Sequence, residues 1–447
     1  MNVFHNVDPQ NNGVLTVEIE QKDFAGKVEK ALLDYRKRAN IPGFRIGMAP
    51  MSMIKKQYEG PVRTDEVNKI LQDGLFKYLE SEKLEILGQP LPIANTVDFS
   101  DPKFQVQFEI GVAPKFDLAI SEKVKLPYHK IKIDNATIDE EMLNLRNRYG
   151  KMTEVNEVGQ EDILFGDFVE TDKRGNHLEN GIKKEGKIGI KSISDKRTRK
   201  SALSLKIGET IALSASKSFV DDFDFFQVLG FDEDEKGSTL GFFELRLKTI
   251  YHVEPALVGK DLFDKVFGEG SINSEEEFRD KIKEDIQGLY DRDSDIHFFN
   301  TVTEHLMKIK MNLPVDFMKK WIRKQGENPP SISEINEQWE QTEKAMRWQL
   351  IESKLQRDHN IQVNKEDLLS YAVKMVKTRM SQYGQMMDDK EAEKMALGVL
   401  ENREQAEQLS DQLLQDKMLE FFKGSFSLKM VDTSYANFLK LLKKTKK

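Results

Sequence analysis

The chain has 447 residues, of which 32% are charged and 38% are apolar, and its formal net charge is −8. This is the composition of a soluble chain large enough for about three domains, and its acidity argues against nucleic-acid binding along its whole length. Cysteine is absent, which excludes disulfides, thiolate nucleophiles and cysteine metal sites and suits a reducing cytoplasm.

Residues 1–115 have the pattern of an α+β domain. Apolar and polar residues alternate in 14–19 and again in 104–110, which predicts two half-buried strands. In 21–39 an apolar residue recurs every three or four positions, which predicts a helix with one buried stripe. Two more helices are predicted, at 51–58 and 62–82.

The stretch 41–50, with the sequence IPGFRIGMAP, lies between two of these helices. Proline and glycine near both of its ends predict turns, so we expect a helical hairpin whose tip presents Phe44 and Arg45 to solvent. An exposed ring beside a guanidinium suits docking, because the ring supplies area to bury and the guanidinium pairs with a carboxylate or a phosphate. The alternative is an ordinary solvated hairpin with Phe44 buried.

Positive charge is concentrated around this tip. Between residues 36 and 56 there are six bases and no acid, in a chain that is acidic overall. The six bases are Arg36, Lys37, Arg38, Arg45, Lys55 and Lys56. A local reversal of sign of this kind favours an anionic partner such as RNA.

The rest of the chain is predicted to form a connection and two further domains. Residues 116–158 are predicted to connect the first domain to the middle one, and they include a capped helix at 137–149. Residues 159–252 have short alternating segments separated by glycine-containing turns, which predicts a β-rich domain. Residues 253–447 show helical periodicity and short connections, which predicts an all-α domain of antiparallel helices.

Methionine is frequent in this helical region, which holds eleven of the chain's 17 Met. Flexible, polarizable thioethers suit a surface that accepts many apolar partners, although a single Met at helical spacing is more often part of a core. The best candidates for an exposed apolar cluster lie together at a predicted helix end. They are Met380, Tyr383, Met386 and Met387.

The tip and the order of the domains resemble the trigger factor family of bacterial chaperones, which dock at the peptide exit tunnel of the ribosome. The tip carries the family's Gly-Phe-Arg signature at 43–45, followed by Gly47 and Pro50. It departs from the family at Ile46, where the family usually has Lys. The residues that the resemblance assigns to ribosome binding are Gly43, Phe44, Arg45, Ile46 and Gly47.

The resemblance implies an ATP-independent chaperone that docks on the large ribosomal subunit, on protein and rRNA at the exit tunnel, and shields unfolded nascent chains between helical arms. Its implied client-binding residues are the cluster around Met387, and it allows a homodimer away from the ribosome. The implied domains are a ribosome-binding domain at 1–115, a linker at 116–158 packing partly on the C-terminal domain, a divergent FKBP-like prolyl isomerase domain at 159–252, and a helical chaperone domain at 253–447.

The middle region resembles the FKBP-type domain through Gly-Asp at 166–167, the Lys-x-Gly-Glu turn at 206–209 and the closing strand at 241–251. Such a domain lowers a barrier of about 20 kcal/mol by desolvation and shape, so it needs an apolar pocket and no nucleophile. The prolyl pocket implied by the resemblance consists of Asp172, Phe225 and Phe243.

Two departures from the family fall in this pocket. Lys173 stands where the family has an aromatic residue, and 194–200 is polar and basic where the family has an apolar stretch. A hydrated, charged pocket would not stabilise the twisted, less polar X–Pro bond of the transition state, so we predict weak or absent isomerase activity. We assign no catalytic residue, and whether the chain is an enzyme stays open.

The sequence contains no phosphate-binding glycine loop, and its seven His show no metal-binding spacing. We therefore expect no cofactor and no metal. We also expect no signal peptide and no membrane partner, because no apolar run approaches the length of about 18 residues that a membrane helix needs. Two alternatives to a ribosome-docked chaperone stay open: a prolyl isomerase acting on folding chains, and a ribosome-independent holdase that has lost one phosphate-pairing charge at Ile46.

Overall fold

The structure is a computed structural model of the chain, and it describes residues 1–93, 101–219, 225–226, 229–230, 241–326, 328–382 and 387–445. Packing divides the chain into two units, each built from three segments. The first unit comprises Met1–Pro127, Phe298–Lys365 and Ser410–Lys429, and the second comprises Tyr128–His297, Glu366–Leu409 and Met430–Lys447. The mixed α+β class expected from the sequence is confirmed.

The first unit begins with a four-stranded antiparallel sheet in the order β1-β2-β4-β3. Its strands are β1 (Asn2–Val7), β2 (Asn12–Glu20), β3 (Ile86–Pro92) and β4 (Lys103–Val112). Two helices pack on this sheet, α1 (Gln21–Arg38) and α2 (Met51–Ser81). The alternating residues Leu15, Val17 and Ile19 of β2 are fully buried in the shared core, as the pattern predicted.

Helix α2 is continuous, although two helices were predicted at 51–58 and 62–82. It continues through Pro61, whose ring removes one backbone N–H and normally kinks or breaks a helix. Ile54 before the proline and Val67 after it are both fully buried in the same core. Packing of both halves against one core therefore maintains the helix across Pro61.

The second unit contains an antiparallel sheet in the order β6-β10-β7-β8, with β9 also paired to β10. It is preceded by β5 (Lys125–Lys132) and α3 (Asn135–Arg148), and α3 begins two residues earlier than expected because Asp134 accepts the Thr137 N–H at 2.8 Å. The sheet strands are β6 (Lys151–Val155), β7 (Ile163–Glu170), β8 (Lys183–Gly189), β9 (Thr210–Ser214) and β10 (Phe242–Glu254). Two short helices, α4 (Lys196–Leu203) and α5 (Ala215–Ser218), join its core.

Helices dominate the remainder of the chain, as expected. They are α6 (Lys260–Phe267), α7 (Glu275–Leu306), α8 (Val315–Ile322), α9 (Ile332–Asp358), α10 (Lys365–Gln382), α11 (Asp389–Glu401), α12 (Arg403–Ser425) and α13 (Tyr435–Thr445). One unpredicted strand, β11 (Ser427–Ser434), interrupts them and pairs with β5. Within the described ranges, no helix has the combination of length and apolar composition needed to cross a membrane.

Candidate functional site

Two consecutive turns shape the tip between α1 and α2. The N–H of Phe44 donates to the carbonyl of Ile41 at 3.1 Å, and the N–H of Met48 donates to the carbonyl of Arg45 at 2.9 Å. The third residue of each turn is a glycine with positive φ, +90° at Gly43 and +83° at Gly47. A hydrogen bond from residue four to residue one with positive φ at residue three is the signature of a type II turn.

The two ends of the tip are held in the core of the first unit. Ile41 and Ala49 are buried on either side of the turns. Below them, Tyr35 of α1 and Tyr58 of α2 place their rings 4.5 Å apart, and their hydrogen bond raises the pKa of Tyr35. The turns therefore project from a fixed base.

Apolar side chains of the tip face outward. Phe44 is 38% exposed, Ile46 60%, Met48 66% and Met53, in the first turn of α2, 43%. The buried Phe44 of the alternative interpretation is therefore not observed. Met48 and Met53 were not among the predicted site residues, and the only sequence signal for them was their place beside the tip.

The positive surface around the tip is smaller than the six bases predicted from the sequence. Lys37 pairs with Asp34 at 2.9 Å, and Arg36 is half-buried. The other four, Arg38, Arg45, Lys55 and Lys56, are exposed, and none has a carboxylate within 4.0 Å among the residues that the structure describes. Four uncompensated bases thus surround an apolar tip.

In the middle region, the structure brings Phe225 and Phe243 together inside the core. Both are fully buried, and their ring centroids are 5.3 Å apart. Phe168 and Phe219 also pack on Phe225, with centroids at 6.3 Å and 4.8 Å. These rings form part of the folded core of the sheet.

Asp172 has a different role from the two phenylalanines. Its carboxylate accepts hydrogen bonds from the N–H groups of Arg174 and Asn176 and from the Asn176 amide at 2.9 Å. The hydrogen bonds from Asn176 are the main reason that the pKa of Asp172 is lowered from its ordinary value of 3.8. Gly175, at φ +89°, completes the same turn. Asp172 is therefore the residue that closes this loop.

The basic stretch at 194–200 forms the start of α4. Asp195 accepts from the N–H of Thr198 at 2.7 Å and caps the helix. Arg199 folds back so that its Nε donates to the carbonyl of Ile193 at 2.6 Å. The remaining bases of the stretch are exposed, and they are Lys196, Arg197 and Lys200.

Of the four candidate client-binding residues, Met380 and Met387 are both half-buried, whereas Tyr383 and Met386 lie outside the described residues. Met380 lies near the end of α10, which packs on α11 through small residues that include Ala372 and Ala396. Three other apolar side chains of these two helices are exposed, although none was among the predicted client-binding residues. They are Met375, Met395 and Leu397.

Three family sequence profiles match successive parts of the chain. The profile described as "Bacterial trigger factor protein (TF)" matches residues 1–145, and "Probable trigger factor, FKBP-like domain" matches residues 152–255. A third, "Probable trigger factor, C-terminal domain", matches residues 294–442. Together the three matches cover most of the chain in the order that the sequence predicted.

Curated relatives named trigger factor are similar to the chain at low identity. One from Chlorobaculum tepidum is 20% identical over 81% of this chain and 83% of the relative, and one from Chloroherpeton thalassium is 21% identical over 93% and 95%. A relative from Psychrobacter cryohalolentis is 28% identical, but the match spans only 31% of each chain. A solved structure of the trigger factor chaperone is similar in fold, with 15% identity, a TM-score of 0.51 and coverage of 94% of this chain and 99% of that one.

Removing the Asn176 side chain should raise the pKa of Asp172 toward its ordinary value. Because the folded-state pKa is lowered, the loop gains stability above the unfolded-state pKa and loses it as the pH falls through the folded-state value, below 3.8. We expect Asn176→Ala to move the carboxyl-carbon titration of Asp172 upward in an NMR experiment. Asn180→Ala, a truncation in the same exposed loop, is the control, and an unchanged Asp172 titration in Asn176→Ala would contradict this assignment.

Proposed function

The chain belongs to the trigger factor family, and from that premise we propose that it is an ATP-independent chaperone that docks on the large ribosomal subunit and shields nascent polypeptides. The observation that carries the proposal is the tip at 41–50. Its turns present exposed apolar side chains, with unpaired basic residues in and beside them, and its two ends are buried in the core. Folding alone gains nothing from this arrangement, since an exposed apolar residue is stabilised only when a partner covers it.

We propose that the docking residues are Gly43, Phe44, Arg45, Ile46 and Gly47. The glycines shape the turns, and the other three supply the contact surface. Phe44 and Ile46 provide area to bury, and Arg45 provides the charge that a carboxylate or a phosphate would pair. Both ribosomal protein and rRNA at the exit tunnel are proposed partners, because the tip offers apolar area and bases side by side.

We propose the domain division 1–115, 116–158, 159–252 and 253–447. Packing within each unit supports the linker assignment for 116–158. In the first unit, the Lys354 ammonium lies 6.0 Å from the ring of Phe116. In the second unit, the Tyr128 hydroxyl donates to Asp295 at 2.7 Å, and α3 shares a core with α7.

The isomerase alternative has less support from the geometry. A prolyl pocket needs an open apolar surface, but Phe225 and Phe243 are fully buried against each other and against other rings. Asp172 is engaged by its own loop, and the segment at 194–200 places exposed bases on α4. We therefore propose that the middle domain is a folded spacer or an auxiliary client surface with little isomerase activity.

The helices of the C-terminal region are the proposed client surface. Their exposed apolar side chains are dispersed along α10 and α11, so that each offers a small area to an unfolded chain. We retain Met380, Tyr383, Met386 and Met387 as proposed client contacts at one end of this pair. A homodimer away from the ribosome, held by the same apolar surfaces, and a cytoplasmic location complete the proposal.

Truncating the tip should abolish docking. We expect Phe44→Ala/Arg45→Ala to lower the affinity for ribosomes by roughly several hundred-fold, because a buried aromatic residue and a paired Arg each contribute about 2 kcal/mol, or about 30-fold, at an interface centre. Co-sedimentation with ribosomes at two salt concentrations measures this loss.

The matched control is Phe76→Ala/Lys77→Ala, which removes another adjacent aromatic and base. Both residues are exposed on α2, roughly 35 Å along the helix from the tip at its rise of about 1.5 Å per residue. The control should bind ribosomes as the parent chain does. Equal binding by the two double variants would show that the tip is not the docking site.

Position 46 should set the salt dependence of docking. Ile46 is 60% exposed, so Ile46→Lys would place an ammonium group at the surface of the tip. Each added phosphate contact steepens the dependence of log affinity on log salt concentration by roughly 0.7 to 0.9. We therefore expect a steeper slope in Ile46→Lys and an unchanged slope in Ile46→Leu. If the slope of Ile46→Lys equals that of the parent, rRNA phosphate does not lie against this position.

The middle domain should be a poor isomerase. In an assay with a short prolyl peptide, we expect the full chain to accelerate cis–trans exchange far less than an active FKBP domain measured beside it. The physical reason is that the rings assigned to the pocket are enclosed in the core. Comparable rates for the two proteins would contradict this prediction and would favour the isomerase proposal over the proposed spacer role of the middle domain.

A further inference from the structure

Helix α8 (Val315–Ile322) lacks the means to be stable alone. It has eight residues, and an isolated helix shorter than about 12 residues is marginal in water. Its N-cap is Pro314, which offers no side-chain acceptor for the free N–H groups of the first turn. The stabilisation of this helix must therefore come from residues outside it.

The missing cap is supplied by the N-terminal sheet. The N–H of Phe317, the third residue of α8, donates to Oδ1 of Asn12 at 3.1 Å. An N-cap side chain normally accepts from the second or third helical N–H, so Asn12 occupies the role that Pro314 cannot fill. Asn12 is the first residue of β2 and lies 305 positions earlier in the chain.

Two glycines of the same sheet make room for α8. A Cβ on Gly111 of β4 would lie 2.5 Å from the Phe317 ring and 2.8 Å from Pro314. A Cβ on Gly88 of β3 would lie 2.7 Å from the Trp321 indole, and Gly88 also has φ +73°. The backbone of the sheet thus approaches the large side chains of α8 at distances that no other residue permits.

Polar contacts surround the interface between the N-terminal sheet and α8, which we call the joint. Asn11 Nδ2 donates to the carbonyl of Asn312 at 2.6 Å, which ties the β1–β2 turn to the residues before α8. Lys320 of α8 pairs with Glu109 of β4 at 2.7 Å. Beneath these contacts Leu91 of β3 and Phe317 are buried together.

One buried polar group destabilises the packing of α8 on the sheet. Nε1 of Trp321 is buried, and it has no hydrogen-bond partner among the described residues. A buried N–H without a partner destabilises the folded state, so the cap and the packing between the sheet and α8 must offset its cost. The attachment of α8 is therefore sensitive to the loss of a single contact.

We propose that α8 is a conditional helix, folded only while it is seated on the N-terminal sheet, and that the sheet and α8 open as one cooperative unit. The sheet, on which the tip-bearing helices α1 and α2 pack, is then coupled to α8 and, through Trp339 and Met346, to α9. Release of the sheet would also free the apolar face of α8, on which Phe317 and Trp321 lie.

Amide hydrogen exchange of the full chain tests this coupling. In the parent chain, the slowest amides of α8 and of β4 should share one opening equilibrium. Gly111→Ala should raise the exchange of both together, by roughly tenfold or more, because the added methyl group would overlap the packed Phe317 ring. Asn12→Ala, which removes only the cap, should raise both by a smaller factor.

Two controls separate the joint from general effects. Gly60→Ala makes the same change on α2, where a Cβ would meet nothing within 4 Å, and should leave both segments unchanged. Gln105→Ala truncates an exposed amide side chain of β4 that donates to Glu18 at 2.6 Å and leaves the Asn12 cap in place, so α8 should stay protected. If α8 exchanges independently of β4 in the parent chain, or if Gly111→Ala affects one segment alone, α8 is held by α9 and the proposal is wrong.

Discussion

The tip at 41–50, which we propose as the docking site, depends on two turns that glycine closes without strain. Gly43 and Gly47 take φ of +90° and +83°, yet a Cβ at either position would find open space or contacts no closer than 3.6 Å. The constraint is therefore conformational, and a side chain there would cost about 1 to 2 kcal/mol through the left-handed backbone. Because the backbone alone shapes the turns, the side chains between the glycines are not needed to hold the turns in place. They are free to be selected for a partner.

In the middle domain the situation is the opposite, because the rings of the candidate pocket are buried in the core. Phe168, Phe225 and Phe243 contribute to folding, since they pack ring against ring inside the sheet's core. A ring that stabilises a core by contact on all sides offers no face to a substrate. The carboxylate of Asp172 is similarly engaged by the hydrogen bonds of its own loop. Residue types that resemble a pocket are present, but each already has a structural partner.

The sequence predicted long periodic segments and the tip, and it failed where distant packing decides the outcome. The alternation in β2 and the turn residues of 41–50 are local signals, and both led to the observed structure. Pro61 is a local signal for a helix end, but burial on both sides of it overrides that signal. At the site, the half-burial of Arg36 could not be predicted, because it depends on which neighbours the folded helices present. The pairing of Lys37 with Asp34 is different, since the two residues are three positions apart on α1 and the sequence alone could have indicated it.

The proposed client surface has to be weak at each contact if it works without ATP. Met375, Met395 and Leu397 are each only partly exposed, so that a client residue covering one of them buries a fraction of a side chain. At about 25 cal/mol per Å² of apolar area, full burial of such a side chain contributes about 1.5 to 3 kcal/mol, and a partial contact contributes less. Many such contacts can hold an unfolded chain, while each one breaks readily. A chain that begins to bury its own apolar residues then competes contact by contact, and release follows from its folding.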